Sequence, residues 1–166
     1  MSFKDYFSEQ SASYASSRPD YPDALYQFLF TQVSETTLCW DVATGNGQAA
    51  VALARQFDRV VATDASSQQL AQALAQPNIE YRCEPAEHSS LDNACVDLVT
   101  VAQALHWFDF DAFYTEVKRV LKPTGVIAVW SYGLLSVNAE IDPLIESFYS
   151  NTLGPYWPPE RRYVDE

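Results

Sequence analysis

Residues 41–48, Asp-Val-Ala-Thr-Gly-Asn-Gly-Gln, combine an acid with a glycine turn where an apolar strand gives way to a helix. Residues 38–40 have the composition of a buried strand, and residues 49–54 are rich in helix formers. A glycine turn at this junction lets backbone N–H groups and a helix N-terminus approach a ligand closely. Because Asp41 adds an acid at the end of the strand, the segment favours a ligand with a cationic or hydroxylated portion.

Three interpretations of this turn compete. Gly45, Gly47 and Ala50 fit the dinucleotide fingerprint G-x-G-x-x-G/A, and Asp64 lies near the position of a ribose-binding acid. Any nucleoside with free ribose hydroxyls would be served equally by that acid. A P-loop is excluded because no Gly-Lys-Ser/Thr follows, and a tight turn without a ligand is the third interpretation.

Strand and helix signals alternate along the chain. Apolar runs predict strands at 37–42, 59–63 ending at Asp64, 79–83, 96–101 and 126–130. This alternation indicates an α/β fold with a parallel sheet covered on both faces. Right-handed crossovers and a switch point at the first strand give the doubly wound, Rossmann-like strand order 3-2-1-4-5.

The helices are predicted from caps and from apolar spacing. The first follows Tyr21-Pro22-Asp23, with Leu25, Phe28 and Leu29 on one face. Others are predicted at 48–57, at 68–76 after the cap candidates Ser66 and Ser67, after a cap at Asp111, and at 139–152.

Composition limits the partners and the compartment. The chain has 166 residues and a net charge of −12, which makes nucleic acids and anionic membranes poor partners and favours a small or uncharged substrate. The three cysteines, Cys39, Cys83 and Cys95, form no C-x-x-C pair, which favours free thiols in a reducing compartment. With no membrane-length apolar run and no apolar leader at the N-terminus, we expect a cytoplasmic protein.

Two further segments follow the third and fourth strands: residues 85–88, Pro-Ala-Glu-His, and residues 102–109, which contain His106-Trp107-Phe108. A pyrophosphate-binding turn gains nothing from the negative charge of Asp41. With these segments the chain resembles the class I S-adenosylmethionine-dependent methyltransferases, and most closely the small-molecule branch that includes the trans-aconitate methyltransferase-like proteins. The resemblance extends from residue 14 to residue 162.

The resemblance implies a cofactor, S-adenosylmethionine, and a residue set that binds it. The turn wraps the methionine portion with Asp41 near its amino group, Asp64 takes both ribose hydroxyls, and Gln103 closes over the methionine. Ala65 flanks the adenine, whose edge Ala86 and Glu87 read. The implied cofactor-binding residues are Tyr14, Arg18, Asp41, Ala43, Thr44, Gly45, Gly47, Asp64, Ala65, Ala86, Glu87 and Gln103.

Tyr14 and Arg18 belong to the N-terminal cover and meet the cofactor's carboxylate, for which the planar fork of Arg is suited. Two positions depart from the family pattern. Many relatives carry Asp where this chain has Pro85, which weakens the expected contact with the adenine amino group. Glycine is usual at the position of Ala43, and alanine is tolerable there if the residue avoids positive φ.

Several of these residues have structural alternatives. Asp64 could cap the helix that follows it, although Ser66 and Ser67 already offer caps. His106 could be a packing histidine. Trp107 and Phe108 could belong to the core. A solvated surface position also stays open for Arg18, Glu87 and His88.

Methyl transfer from a sulfonium is an in-line displacement, so the protein chiefly supplies alignment and exclusion of water. A carboxylate acceptor needs no general base, whereas a hydroxyl or amine usually does. His106 is the best candidate base because it follows the fourth strand at the carboxyl edge of the sheet. The alternatives are a cofactor-binding protein without turnover and, more distantly, an NAD-dependent oxidoreductase.

Relatives normally continue beyond residues 161–162 and add two strands, giving the order 3-2-1-4-5-7-6. We therefore expect a C-terminally truncated single domain at 1–166, with cover helices at 1–35, a nucleotide-binding core at 36–132 and the start of a substrate or lid region at 133–166. Without the last two strands the edge of 126–130 is exposed. An apolar edge of this kind predicts a homodimer or larger assembly.

Overall fold

The structure is a computed structural model that describes residues 20–165. The described chain divides into two compact units, one that ends at Val129 and one that begins at Trp130.

A five-stranded sheet organises the first unit, and its strand order, β3-β2-β1-β4-β5, confirms the predicted 3-2-1-4-5 order of a doubly wound α/β fold. Strand β1 pairs in parallel with both β2 and β4, and β2 pairs in parallel with β3. The order therefore reverses between β1 and β4, as in a nucleotide-binding sheet. The strands are β1 Leu38–Val42, β2 Arg59–Asp64, β3 Ile79–Cys83, β4 Val96–Ala102 and β5 Leu121–Trp130.

Short helices connect these strands. They are α1 Asp23–Gln32, α2 Gln48–Leu53, α3 Ser67–Leu70, a 3-10 helix at Leu105–Trp107 and α4 Phe110–Val120.

Helices α2 and α3 are shorter than predicted, and local hydrogen bonds give the reason. The side-chain amide of Asn78 donates to the carbonyl oxygens of Ala54 and Phe57, 2.8 and 3.0 Å away, so it satisfies the backbone where α2 ends. After Leu70 the chain turns through i→i+3 bonds, among them Ala73 N–H to the Leu70 carbonyl at 3.0 Å.

The cap of α4 and one face of α1 also differ from the prediction. The N-cap of α4 is Asp109, whose carboxylate accepts from the Ala112 N–H, whereas Asp111 lies in the first turn. In α1 Phe28 is 60% exposed, so it does not share the buried face with Leu29; Tyr26 takes that place. The error in the cap shifts the start of α4 by two residues, within the uncertainty of helix boundaries read from sequence.

The main core lies between the sheet and α4. Trp40 is fully buried, its ring centroid is 6.5 Å from that of Phe113, and its indole N–H donates to the Thr63 hydroxyl at 3.0 Å. Val117 and Val120 of α4 complete this contact surface. Because side chains alternate along a strand, the neighbours of Trp40 point to the opposite face. That face carries the row Tyr81, Ala62, Asp41, Thr100 across β3, β2, β1 and β4.

A buried carboxylate fixes the amino end of the sheet. Asp97 accepts hydrogen bonds from the N–H groups of Thr37 and Leu38, both at 2.9 Å, and from the Lys122 ammonium at 2.7 Å. Lys122 also pairs with Glu35 at 2.8 Å. The first residues of β1, β4 and β5 are thereby joined.

Strand β5 begins at Leu121, five residues before the predicted start at 126. A Cβ added at Gly125 would lie 2.8 Å from the carbonyl oxygen of Val96, so glycine permits a close approach to β4.

The second unit is helical. Its elements are α5 Asp142–Ser147, a π-helix Phe148–Leu153, 3-10 helices at Gly154–Tyr156 and Pro159–Arg161, and α6 Arg162–Asp165. The helix predicted at 139–152 is thus an α-helix that widens into a π-helix. The guanidinium of Arg161 lies 5.5 and 5.4 Å from the ring centroids of Tyr149 and Trp157. Within the part of the chain that the structure describes, no helix is long and apolar enough to cross a membrane.

Candidate functional site

Two left-handed residues follow the two strands between which the strand order reverses. Ala43 follows β1 with a φ of 52°, and Gln103 follows β4 with a φ of 60°. Residues other than glycine pay roughly 1–2 kcal/mol for this conformation, and such strain is concentrated at functional sites. A third such residue, Ala94, lies at the opposite end of β4 with a φ of 50°.

Glycine occupies two left-handed positions of the turn between β1 and α2. Gly45 and Gly47 have φ values of 60° and 83°. The turn is closed by the Thr44 N–H, which donates to the Thr63 carbonyl of β2 at 2.9 Å. The sequence predicts that alanine is tolerable at position 43 only if φ stays negative, and that condition is not met: Ala43 keeps the left-handed conformation despite its Cβ.

Asp41 is the buried acid of the site, with 1% of its surface exposed. Its two carboxylate oxygens accept from the hydroxyls of Thr44, at 2.5 Å, and Thr100, at 2.7 Å. Burial raises the pKa of Asp41 to about 6; the two hydroxyls oppose this rise, and the charge of Asp64 adds to it.

Asp64 ends β2 and joins it to the glycine turn. One carboxylate oxygen accepts from the Gly45 N–H at 2.9 Å and the other from the Ser66 N–H at 2.8 Å. The cap of α3 is Ser66, whose hydroxyl accepts from the Gln69 N–H, so capping does not account for Asp64. These two contacts hold the Asp64 carboxylate at the carboxyl end of β2, beside the glycine turn.

The turn and the ends of β1 and β4 enclose an open recess. Its lining combines one acid with hydroxyl, amide and small apolar side chains, from Tyr21, Asp41, Ala43, Thr44, Gln48, Ala49 and Ala102. Ligands of doubly wound sheets bind in this crevice, outside the carboxyl ends of the strands.

Gln103 carries an unsatisfied polar group. Its side-chain nitrogen Nε2 is buried and has no hydrogen-bond partner among the described residues. An unmade hydrogen bond of this kind costs about 1–3 kcal/mol. A strained backbone and an amide nitrogen without a partner in the described part of the chain, at the same residue, fit a site that is completed by a ligand.

The residues predicted to contact adenine gather at the ends of β2 and β3. Cys83 is paired with Asp64 in the β2–β3 register, and its thiol donates to the Ala65 carbonyl at 3.6 Å. Ala86 is buried. Glu87 is half-buried and accepts from the Asp109 N–H at 3.0 Å, so its carboxylate already holds the start of α4.

His106 lies in the 3-10 helix after β4, half-buried, with its ring centroid 4.5 Å from that of Trp107. Trp107 and Phe108 are also half-buried and pack against the core beneath α4. Their packing supports the core interpretation of these two aromatic residues. Tyr14 and Arg18 lie outside the described residues.

Sequence reasoning missed the group that anchors the loop after β3. Glu116 of α4 is 5% exposed and accepts from the N–H and the hydroxyl of Ser89, both at 2.7 Å. Hydrogen bonds from Arg119 and Ser89 lower the pKa of Glu116 to about 2. The only sequence signal is a Glu–Arg pair at i,i+3.

The described fold and site agree with a sequence match. The profile of the family described as "Methyltransferase domain" matches residues 40–129, which contain the glycine turn, Asp64 and Gln103. The chain belongs to this methyltransferase family. Family and fold together indicate S-adenosylmethionine as the cofactor, and the acids Asp41 and Asp64 fit its amine and ribose hydroxyls.

Individual relatives support the same assignment. A protein named as a methyltransferase from Dictyostelium discoideum is 41% identical over 99% of this chain and 64% of its own length. A protein named as an S-adenosylmethionine-dependent methyltransferase from Saccharomyces cerevisiae is 30% identical over 74% of this chain and 45% of its own length. The chain therefore spans less than two thirds of either protein.

Among solved structures, one described as a type II methyltransferase from Anaeromyxobacter dehalogenans is similar with a TM-score of 0.80 and 41% identity. The match covers 89% of this chain and 63% of that one.

Proposed function

We propose that this chain binds S-adenosylmethionine at the carboxyl ends of β1, β2 and β4 and transfers its methyl group to a small molecule, with a carboxylic acid as the first acceptor class to test. The observation that carries the proposal is Gln103, where a left-handed backbone coincides with a buried amide nitrogen that has no partner among the described residues. Such a combination is stable only when something compensates for it, and a bound ligand that accepts from the amide does so.

In this proposal the methionine portion lies along the turn of residues 43–47. Asp41 binds the amino group, and Gln103 closes over the chain of the amino acid. The hydroxyls of Thr44 and Thr100 favour the charged form of Asp41, which is the form that an ammonium group requires. Tyr14 and Arg18 are proposed to meet the cofactor's carboxylate.

The ribose and adenine are assigned to the ends of β2 and β3. Asp64 accepts the ribose hydroxyls while its contacts to Gly45 and Ser66 hold it in place. Ala65 flanks the adenine and the Ala86 N–H reads its edge. Because Glu87 already accepts from the Asp109 N–H, we assign it the positioning of this loop together with a share in the adenine contact.

The cofactor supplies an activated methyl group, so the chain's own task is to align the acceptor and exclude water. His106, at the carboxyl edge of β4, is proposed as the base for a hydroxyl acceptor. A carboxylate acceptor needs no base. Replacement of His106 by Ala should therefore abolish transfer to a hydroxyl and spare transfer to a carboxylate.

The binding test is calorimetry with S-adenosylhomocysteine and, separately, with NAD. The wild-type chain should bind the former and not the latter, and Asp64→Ala should weaken binding at least tenfold, since hydrogen bonds to a charged acceptor contribute about 1.5–3 kcal/mol each. Glu80→Ala, a carboxylate on the exposed side of β3, is the matched control and should leave binding unchanged. Binding of NAD alone would overturn the assignment.

Chemical labelling of a cysteine provides an independent test of the same site. Cys83 is exposed next to Asp64, whereas Cys39 is buried. S-adenosylhomocysteine should slow maleimide labelling of Cys83, and Cys39 should stay unlabelled throughout. Equal labelling of Cys83 with and without the compound would argue against adenosine at this edge.

Turnover is tested by transfer of labelled methyl groups to pooled metabolites and to small carboxylic acids, trans-aconitate among them. Label in an acid-extractable product supports the small-molecule assignment. Binding without transfer to any pool would favour the alternative of a cofactor-binding protein without turnover.

We also propose a cytoplasmic location, in keeping with three free cysteines, and a homodimer through β5. Strand β5 ends the strand order and Val129 on it is 43% exposed. The proposed domain layout is a cover at 1–35, a core at 36–132 and a lid region from 133. Sedimentation of Val129→Lys against the wild-type chain tests the dimer: the wild type should sediment as a dimer and the variant as a monomer, and a monomeric wild type would refute it.

A further inference from the structure

Tyr81 of β3 lies against the glycine turn, although it comes from a strand that is not adjacent to the turn. A Cβ added at Gly47 would overlap the Tyr81 hydroxyl and lie 3.0 Å from ring atoms Cε1 and Cζ. The ring thus occupies the space that any side chain at position 47 would need.

The strand register explains how Tyr81 reaches this position. Tyr81 is paired with Ala62 of β2, which is paired with Asp41 of β1, so the three residues share one face of the sheet. Because Ala62 carries only a methyl group, the tyrosine ring can extend over β2 toward the turn. A larger residue at position 62 would close that path.

The hydroxyl of Tyr81 joins a second segment to the first. It donates to the Leu74 carbonyl at 3.0 Å, and Leu74 lies between α3 and β3, in the connection that follows Asp64. Burial and the charge of Asp41 raise the pKa of Tyr81, which keeps the hydroxyl protonated and able to donate. One side chain therefore contacts both the turn after β1 and the connection after β2.

We propose that Tyr81 is a positioning residue that holds the glycine turn in the conformation that receives the methionine portion of the cofactor. The inference rests on the proposed function, which assigns that portion to the turn. The adenosine portion is assigned to Asp64, Ala65 and Ala86. Loss of the ring should therefore affect the two portions of the ligand unequally.

The first experiment measures the affinities of S-adenosylhomocysteine and adenosine for the wild-type chain, Tyr81→Phe and Tyr81→Ala. Tyr81→Ala should weaken S-adenosylhomocysteine about tenfold, because the turn is no longer pre-organised, and adenosine less than about twofold. Tyr81→Phe should lie between the wild type and Tyr81→Ala. Tyr114→Ala, which removes a tyrosine ring from the exposed side of α4, should change neither affinity.

Equal weakening of both ligands, or no weakening of either, would overturn the role of Tyr81 while leaving the proposed function intact. If the wild-type chain bound adenosine and S-adenosylhomocysteine with equal affinity, the assignment of the methionine portion to the turn would be overturned. A wild-type chain that binds neither ligand would overturn the proposed function and the role of Tyr81 with it.

The second experiment tests the contact without a ligand. Gly47→Ala is introduced into the wild-type chain and into the Tyr81→Phe and Tyr81→Ala backgrounds, and the loss in Tm is compared. The cost of a positive φ at position 47 is common to all three and cancels in the comparison. The loss in Tm should be largest in the wild type, smaller with Tyr81→Phe and smallest with Tyr81→Ala. Equal losses would overturn the contact between the tyrosine ring and the turn.

Discussion

The two ends of the central strands differ in how their polar groups are satisfied. At the amino end Asp97 receives two backbone N–H groups and the Lys122 ammonium, all within 2.9 Å. At the carboxyl end Ala43 and Gln103 are left-handed, and the amide nitrogen of Gln103 is buried without a partner among the described residues. The same β1–β4 pair thus runs from an end whose buried carboxylate has its partners to an end with a buried amide nitrogen that lacks one among the described residues.

This difference indicates that stability depends mainly on the amino end of the sheet and ligand binding on its carboxyl end. A buried carboxylate that accepts two backbone N–H groups is costly to remove, so the amino end fixes how β1, β4 and β5 begin. Strain at the carboxyl end is tolerated because the rest of the sheet determines the backbone there. Variants at the two ends should therefore separate into those that change unfolding and those that change binding.

The largest effect is expected at the amino end. Asp97→Ala leaves Lys122 and the N–H groups of Thr37 and Leu38 without this acceptor. We expect a loss of about 2–4 kcal/mol in the free energy of unfolding, since hydrogen bonds to a charged acceptor contribute about 1.5–3 kcal/mol each. Urea denaturation measures it. The matched variant Asp97→Asn keeps one acceptor oxygen and should lose less.

The same two variants test whether the amino end is separate from the site. At low temperature, where the variants stay folded, their affinity for S-adenosylhomocysteine should equal that of the wild type. A tenfold weaker affinity in folded Asp97→Asn would show that the two ends are coupled and would break the comparison.

Asp41 should lower stability and support binding at the same time. Because burial raises its pKa to about 6, the folded chain holds a proton between pH 4 and pH 6 that the unfolded chain has released. Stability therefore falls as the pH rises through this window. Since a tenfold change in an equilibrium constant corresponds to about 1.4 kcal/mol, the ionised form of Asp41 costs about 3 kcal/mol above pH 6.

Measurements of Asp41→Asn across this pH range check both consequences. Its free energy of unfolding, relative to the wild type, should rise from pH 4 to pH 7. Wild-type affinity for S-adenosylhomocysteine should drop about tenfold from pH 7 to pH 5, because the ammonium group needs the carboxylate, and the weaker affinity of Asp41→Asn should be independent of pH. If the affinity of the wild type did not change with pH, Asp41 would not be part of the binding site.

The sequence predicted the elements better than their contacts. The strand order and the meeting of the Asp41 turn with Asp64 follow from periodicity and topology, since the carboxyl ends of parallel strands share one edge. The contact of Tyr81 with Gly47 depends on the register of β1, β2 and β3 together, and periodicity carries no register across strands.

The loop anchor and the conformation of Ala43 were missed for related reasons. Glu116 and Ser89 are 27 residues apart, and nothing in their spacing indicates a contact. The positive φ of Ala43 is imposed by the path from β1 into a turn that is fixed by the Thr44–Thr63 hydrogen bond. Alanine itself disfavours that conformation, so the residue type gives no indication of it.

The smallest effect comes from a matched pair of left-handed alanines, Ala43 at the carboxyl end and Ala94 near the amino end, with φ values of 52° and 50°. Glycine removes a Cβ penalty of roughly 1–2 kcal/mol and adds about 0.4–1 kcal/mol of unfolded-state entropy, so each Ala→Gly change should raise stability by about 0.5–1 kcal/mol. For a chain of this length that corresponds to a Tm increase of about 1–4 °C by calorimetry.

Only Ala43→Gly should also change binding. It should weaken the affinity for S-adenosylhomocysteine about twofold, because the turn loses part of its pre-organisation. If Ala94→Gly changed the affinity equally, the effect of Ala43→Gly could not be assigned to the turn that receives the ligand.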